Sequence, residues 1–309
     1  MRSFLKLFGI VVYICSLSPV NAESTITTKA RDIFERAEAD FDIARVKFEI
    51  DRLIDPTVNV NQGLARIDRM VADIEGMVPR NADSWEKVET LRKFIYQSGS
   101  WNNHRAFAYD MSDPLGETIQ NKMMTDYFED RQGNCVTMPF LFIILGQRIG
   151  LDVWPALAPL HVLVKFRDDR GQVYNLEATS GGGPARDSHY NQLGPITPLA
   201  LRNQVYLSPL DERETLAVIG VVVMEYLLKQ GLYESAIEVG DLLLEYHPTY
   251  AYVMVKKGSG YYNLVRTEFI EKYPNSSAVP VDLRDRYAYL GSQNRAMFQQ
   301  AEALGWRER

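Results

Sequence analysis

Two cysteines occur in the 309-residue sequence, and one of them, Cys135, stands where a thiol can act as a nucleophile. The other, Cys15, falls in a segment with the marks of an export signal: Arg2 and Lys6, an apolar run from Leu7 to Cys15, and Val20-Asn21-Ala22 as a small-residue cleavage site. Val12-Tyr13-Ile14 ahead of Cys15 argues against lipidation there, because the residue before a lipid-modified Cys is normally small. Cleavage near Ala22 leaves Cys135 without a disulfide partner. An unpaired thiol in an oxidising compartment is either buried and inert or retained for its reactivity. Its surroundings point to reactivity. Gly133-Asn134 precede it, an apolar stretch from Val136 to Leu145 follows, and Arg148-Ile149-Gly150 reads as a helix stop. Pro139 is tolerated only near a helix start, so Cys135 sits at or just before the first turn. Asn134 suits the cap, and the positive end of the helix dipole favours a thiolate.

A thiolate nucleophile needs a base, and the sequence offers one downstream. From His161 to Phe166 apolar residues alternate as in a half-buried strand, Asp168 to Gly171 forms a turn, and Gln172 to Ala178 returns as a second strand. With a three-residue loop, Asp169-Arg170-Gly171, and glycine in the left-handed position, Leu163 faces Glu177 and His161 lies diagonal to it on the same face. An even-numbered loop would turn Glu177 to the opposite face. Asn175 shares the face of Glu177 and is the reserve candidate for orienting the imidazole.

The elements around these residues are mostly helical. Apolar residues at steps of three and four from Thr28 to about Ile54 predict one amphipathic helix, broken at Asp55-Pro56. Val60 to Met77 and Ser84 to Tyr96 predict two more, with Asp83 or Ser84 as cap. Ser98 to Leu115 reads as an ordered loop and Thr118 to Phe128 as a short helix whose Met123-Met124 fill core. The Gly181-Gly182-Gly183 run reads as a lid edge or as a plain loop. Leu216 to Met224 is far too short to span a membrane.

Three stretches taken in order, Gly133-Asn134-Cys135-Val-Thr-Met-Pro, Ala158-Pro159-Leu160-His161-Val-Leu-Val and Asn175-Leu-Glu177-Ala-Thr-Ser-Gly-Gly, resemble the transglutaminase-like superfamily in its bacterial SirB-type branch. Tyr109-Asp110 and Asp113-Pro114-Leu115-Gly116 extend the likeness, which covers roughly residues 30 to 200. The resemblance implies an α+β fold with a papain-like core, in which a buried Cys helix packs on a small antiparallel sheet. It also implies a catalytic set of Cys135, His161 and Glu177. The sequence departs from transglutaminases proper in having Glu rather than Asp third, and some SirB-type members lack the Cys.

The C-terminal third resembles tetratricopeptide repeats. Tyr226 to Ala236, with Gly231 at the turn and Pro248 at the close, reads as one unit; others start at Ala251 and Tyr287. The expected organisation is a signal peptide (1–22), an N-terminal helical subdomain (23–97), a transglutaminase-like core (98–210) and an all-α repeat-like domain (211–309). With 34 basic and 40 acidic side chains, the formal charge of -6 speaks against nucleic acid. His104, His189 and His247 are isolated and no metal-ligand spacing occurs, so neither metal nor cofactor is expected. Together these readings predict an exported, periplasmic or secreted, cysteine-dependent acyl-transfer enzyme acting on a protein or peptide. Backbone N–H of Cys135 is one oxyanion donor, and Trp101, Asn102 and Asn103 are candidates for the second. The alternative is a non-catalytic binding scaffold that docks a protein partner through the C-terminal helices, with no transmembrane span in the mature chain in either case.

Overall fold

The computed structural model describes residues 24–308; the expected export signal, Met1 to Ala22, lies outside the described residues. Four helices open the chain: α1 (Thr25–Ala39), α2 (Ile43–Ile54), α3 (Val60–Met77) and α4 (Ser84–Tyr96). The single helix expected up to Ile54 is in fact two. Asp42 stops the run because its carboxylate accepts from the Ala44 and Arg45 N–H groups and caps a new helix. The α3 and α4 spans agree with the periodicity, and Asp83 and Glu86 form a reciprocal capping box at the α4 start.

The core follows. A two-residue strand, β1 (Ala108–Tyr109), pairs in parallel with β2 (Gln132–Gly133), and between them lies α5 (Met124–Asp130). The expected helix from Thr118 is therefore shorter and later, preceded by a 3-10 turn at Gln120–Lys122. Next come α6 (Thr137–Arg148) and the strands β3 (Asp152–Ala158), β4 (His161–Arg167), β5 (Val173–Glu177) and β6 (Gly183–Ala185). These four strands make one antiparallel sheet in sequential order. Helix α6 is apolar nearly all round and buried from Thr137 to Gly146, as a helix enclosed by other elements must be. It packs on β3 and β4. This is the α+β arrangement expected.

Two short helices, α7 (Asp187–Tyr190) and α8 (Pro198–Arg202), lead to α9 (Glu212–Lys229), α10 (Tyr233–Tyr246), α11 (Ala251–Val265) and α12 (Arg284–Ala303). Successive members of this last group pack on one another, giving a helical C-terminal region. The N-terminal pair joins it: α1 lies on α10 and α2 on α9. Ser24 N–H donates to Glu238 and Arg31 pairs with Glu245, each contact closing 214 residues of chain. Gly220 on α9 permits this approach, since a Cβ there would stand 2.7 Å from the Phe34 ring of α1. A fully buried ion pair, Lys47 with Asp51, ties α2 to the core: Lys47 Nζ donates to Lys122 O at 2.8 Å and Met124 N–H to Asp51 at 2.8 Å.

Candidate active site

Cys135 stands two residues ahead of α6. Asn134 sets that corner: its side-chain oxygen accepts from the N–H groups of Val136 at 2.9 Å and Thr137 at 3.3 Å, and its N–H donates to Thr137 Oγ1. Its carbonyl accepts from Met138, so the helical bonding pattern already begins at Asn134, with Cys135 in the first turn. Pro139 removes the donor that would otherwise engage the Cys135 carbonyl. Among the described residues no acceptor takes the Cys135 N–H. The loop before α5 braces the corner from outside. Asp110 N–H donates to Gly133 O at 2.8 Å, Thr137 Oγ1 donates to Asn121 O, and Asn121 in turn donates to both Asp110 and Asp113.

His161 opens β4 and Glu177 closes β5. The hairpin between them has the three-residue loop inferred from the sequence: Gly171, at φ +79°, donates to Asp168 O, and Asp168 N–H to Gln172 O. The observed pairs Val164 with Leu176 and Lys165 with Asn175 continue to Leu163 opposite Glu177. His161 therefore reaches Glu177 diagonally, with Nε2 2.9 Å from Oε2. The second carboxylate oxygen accepts from Thr179, from its N–H at 2.9 Å and from its hydroxyl. Asn175 is occupied elsewhere, donating to Ala185 O and to Asp187, so the acid beside His161 is Glu177.

The His161 side chain is 9% exposed and that of Glu177 8%. Burial acts to lower the proton affinity of His161. Hydrogen bonding to Cys135 and Glu177, and their charges, outweigh it and lift the imidazole to about 9. For Glu177 burial pushes the carboxyl up, but bonds from His161 and Thr179 prevail and hold it below its ordinary value. The Cys135 thiol donates to Leu160 O at 3.6 Å, and its influence on His161 places sulfur and imidazole in one polar cluster. With Nε2 taken by Glu177, Nδ1 is the ring nitrogen left for the sulfur.

Several contributors were not read from the sequence. Leu160 adopts φ +55° in the two-residue turn joining Ala158 to its partner His161, a strained state for a branched side chain that is itself 63% exposed. Loop length was the available signal: two-residue hairpins demand a positive φ. Thr179, two residues past Glu177, locks the carboxylate. The Tyr190 ring lies 5.9 Å from that of His161 and covers it. From the C-terminal region, Tyr250 and Tyr252 resist ionisation, first through burial, then through Glu225, with Cys135 adding its charge. The α11 start thus lies within electrostatic reach of the cysteine.

Of the two readings of the glycine run, the plain loop is the one observed, as a pinned turn: Gly181 O accepts from Arg92 at 2.8 Å, Gly182 N–H donates to Glu177 O, and a Cβ on Gly182 would stand 2.7 Å from Phe142. Among the described residues no hydrogen bond joins Trp101, Asn102 or Asn103 to the cysteine, and no second oxyanion donor is assigned. Asn102 is consumed in bonds to Gly99, Phe94 and Gln97, and all three line a cavity with Arg66 and Arg131.

Comparison with known proteins agrees with this architecture. The family model of the transglutaminase-like superfamily matches residues 61–218, half of the chain, and the protein belongs to that superfamily. It is similar to Protein SirB1 of Salmonella typhimurium and of Salmonella typhi, 22% identical over 222 residues, covering 70% of this chain and 77% of theirs. A UPF0162 protein of Buchnera aphidicola subsp. Schizaphis graminum is 28% identical over 185 residues, 58% of this chain and 64% of its own. These likenesses support the SirB-type branch. No solved structure matches. Among the described residues no helix is long and apolar enough to cross a membrane.

Proposed function

We propose that the protein is an exported cysteine-dependent acyl-transfer enzyme acting on a protein or peptide, with Cys135 as nucleophile, His161 as acid and base, and Glu177 as the group that orients and charges the imidazole. The observation that carries this reading is the His161–Glu177 pair, buried and aligned beside the thiol at the head of α6. The thiolate attacks an amide or ester carbonyl, and the oxyanion that forms meets the unengaged N–H of Cys135. Collapse of the tetrahedral adduct breaks the C–N or C–O bond as His161 gives its proton to the leaving group, which leaves a thioester on Cys135. Neutral His161 then takes a proton from water, whose oxygen attacks the thioester, and the carboxylic acid product departs as the thiol is restored. An amine in place of water would give transfer rather than hydrolysis.

The test is capture of the acyl-enzyme. The mature protein is incubated with envelope extract and an electrophilic acyl probe, followed by mass spectrometry of the peptide holding Cys135. A labelled Cys135 in wild type, lost in His161→Ala, supports the enzyme. Failure to label any thiol, together with full cellular function of Cys135→Ala, would instead favour a binding scaffold.

A further inference from the structure

Away from the cysteine, arginines from separate segments converge on a cavity of about 210 Å³. Arg66 and Arg69 come from α3 and Arg131 from the residue after α5, while Arg105 acts on both Arg66 and Arg131 from the intervening loop. None of these four has a carboxylate within ion-pair distance among the described residues. Elsewhere Arg31, Arg148, Arg213 and Arg286 each have such a partner. Asp73 lines the same cavity but bridges to none of them, and Glu129 acts on Arg66 from nearby, so four guanidinium groups answer to two carboxylates.

The arginines are held rather than loose. Arg66 donates to Phe128 O and lies 4.7 Å over the Phe128 ring; Arg131 stacks 4.0 Å over Phe107. Those contacts fix the planes and leave donors over. Arg131 Nε is buried with no acceptor, as is the indole N–H of Trp101, which also lines the cavity. Burial and mutual repulsion both pull Arg131 below its ordinary proton affinity. A site with surplus buried donors and unneutralised positive charge is completed by an anion.

We infer that this cavity binds a small multiply charged oxyanion of the phosphate class, held by the forked guanidinium groups of Arg66, Arg69 and Arg131. Four cations against two carboxylates leave an excess of two positive charges, which calls for more than a single negative charge, and the space admits a diphosphate or the phosphate head of a larger molecule. The exposed rim at Arg69, Asp73 and Asn103 gives it a way in.

Calorimetric titration of the full mature chain with pyrophosphate, in a buffer free of other oxyanions, tests the inference. A parallel arm sediments the protein with phosphatidylcholine vesicles containing phosphatidic acid, to separate a soluble source of phosphate from a lipid headgroup. Saturable binding is expected in at least one arm, weakened about tenfold or more by Arg66→Gln and by Arg69→Gln, as loss of a charge-assisted contact implies. Arg69 is exposed and among the described residues makes no side-chain hydrogen bond, so its replacement leaves the fold intact. Arg295→Gln, on α12, makes the same change in net charge away from the cavity and is expected to bind as wild type does. Absence of saturable binding in both arms, or an equal loss in Arg295→Gln, overturns the inference.

Discussion

Replacing Glu177 by Gln removes one charge and little volume. The amide oxygen can still accept from Thr179, but the group now facing His161 Nε2 is an NH2, which can only donate. A protonated Nε2 then has no acceptor, and the neutral ring is favoured. With its proton affinity at about 9, His161 in the wild type is about 97% protonated at pH 7.5. Without the carboxylate, burial is opposed only by the sulfur. If the imidazole falls merely to its ordinary 6.5, protonation at pH 7.5 drops to about 9%, roughly a tenfold loss of the imidazolium that holds a thiolate. The rate of Cys135 alkylation by iodoacetamide, followed by mass spectrometry from pH 5 to pH 10, is therefore expected to fall about tenfold near neutrality in Glu177→Gln. Turnover should fall further, by about a hundredfold or more, because the same imidazole must also transfer protons. An alkylation profile identical to wild type would refute the coupling of Glu177 to the thiol through His161.

Other outcomes follow from the same geometry. Leu160→Gly relieves a left-handed residue whose side chain is largely in water, and should raise stability in urea by up to about 1 kcal/mol while slowing alkylation of Cys135, whose thiol leans on that carbonyl. A lowered urea midpoint would contradict the strain. Because the folded-state value of His161 is raised, its contribution to stability is complete below about pH 6.5 and lost as pH climbs through about 9; the difference in unfolding free energy between wild type and His161→Gln should shrink by up to about 3 kcal/mol across that window. A difference that grows with pH would reverse the sign assigned here. Lys47→Met strands the Asp51 carboxylate in the core and should cost about 3–5 kcal/mol, whereas Lys47→Met with Asp51→Leu should recover most of it; equal melting of the single and double variants would count against the buried pair.

The placement of the candidate site residues was more legible than the architecture around them. Cys135, His161 and Glu177 were accessible because each is governed by local rules: a Pro-marked helix start, strand alternation, and a glycine-bearing loop of odd length that fixes which side chains share a face. What escaped was set by contacts distant in sequence. The break at Asp40-Phe41-Asp42 is a cap inside a run whose periodicity carries straight through it. Tyr190 over the imidazole and the α11 tyrosines near the thiol depend on how later helices fold back, which no spacing encodes. Trp101, Asn102 and Asn103 lay close ahead of the cysteine in sequence and so invited a role at it, yet tertiary packing directs them to the arginine cavity. The pairing of α1 with α10 was equally invisible, since both helices show only that they have an apolar face, not which face meets it.

That pairing bears on how the polypeptide comes into being. Helix α1 packs on α2 but also has part of its apolar side matched by α10, made some two hundred residues later, where Phe34 meets Tyr246. During synthesis this stripe stays uncovered, and early folding of the amino-terminal part alone cannot satisfy it. A nascent molecule of this kind keeps that part of its surface uncovered until α10 exists, which makes holding factors valuable to it on the way. The native form is thus closed late, when α10 meets α1.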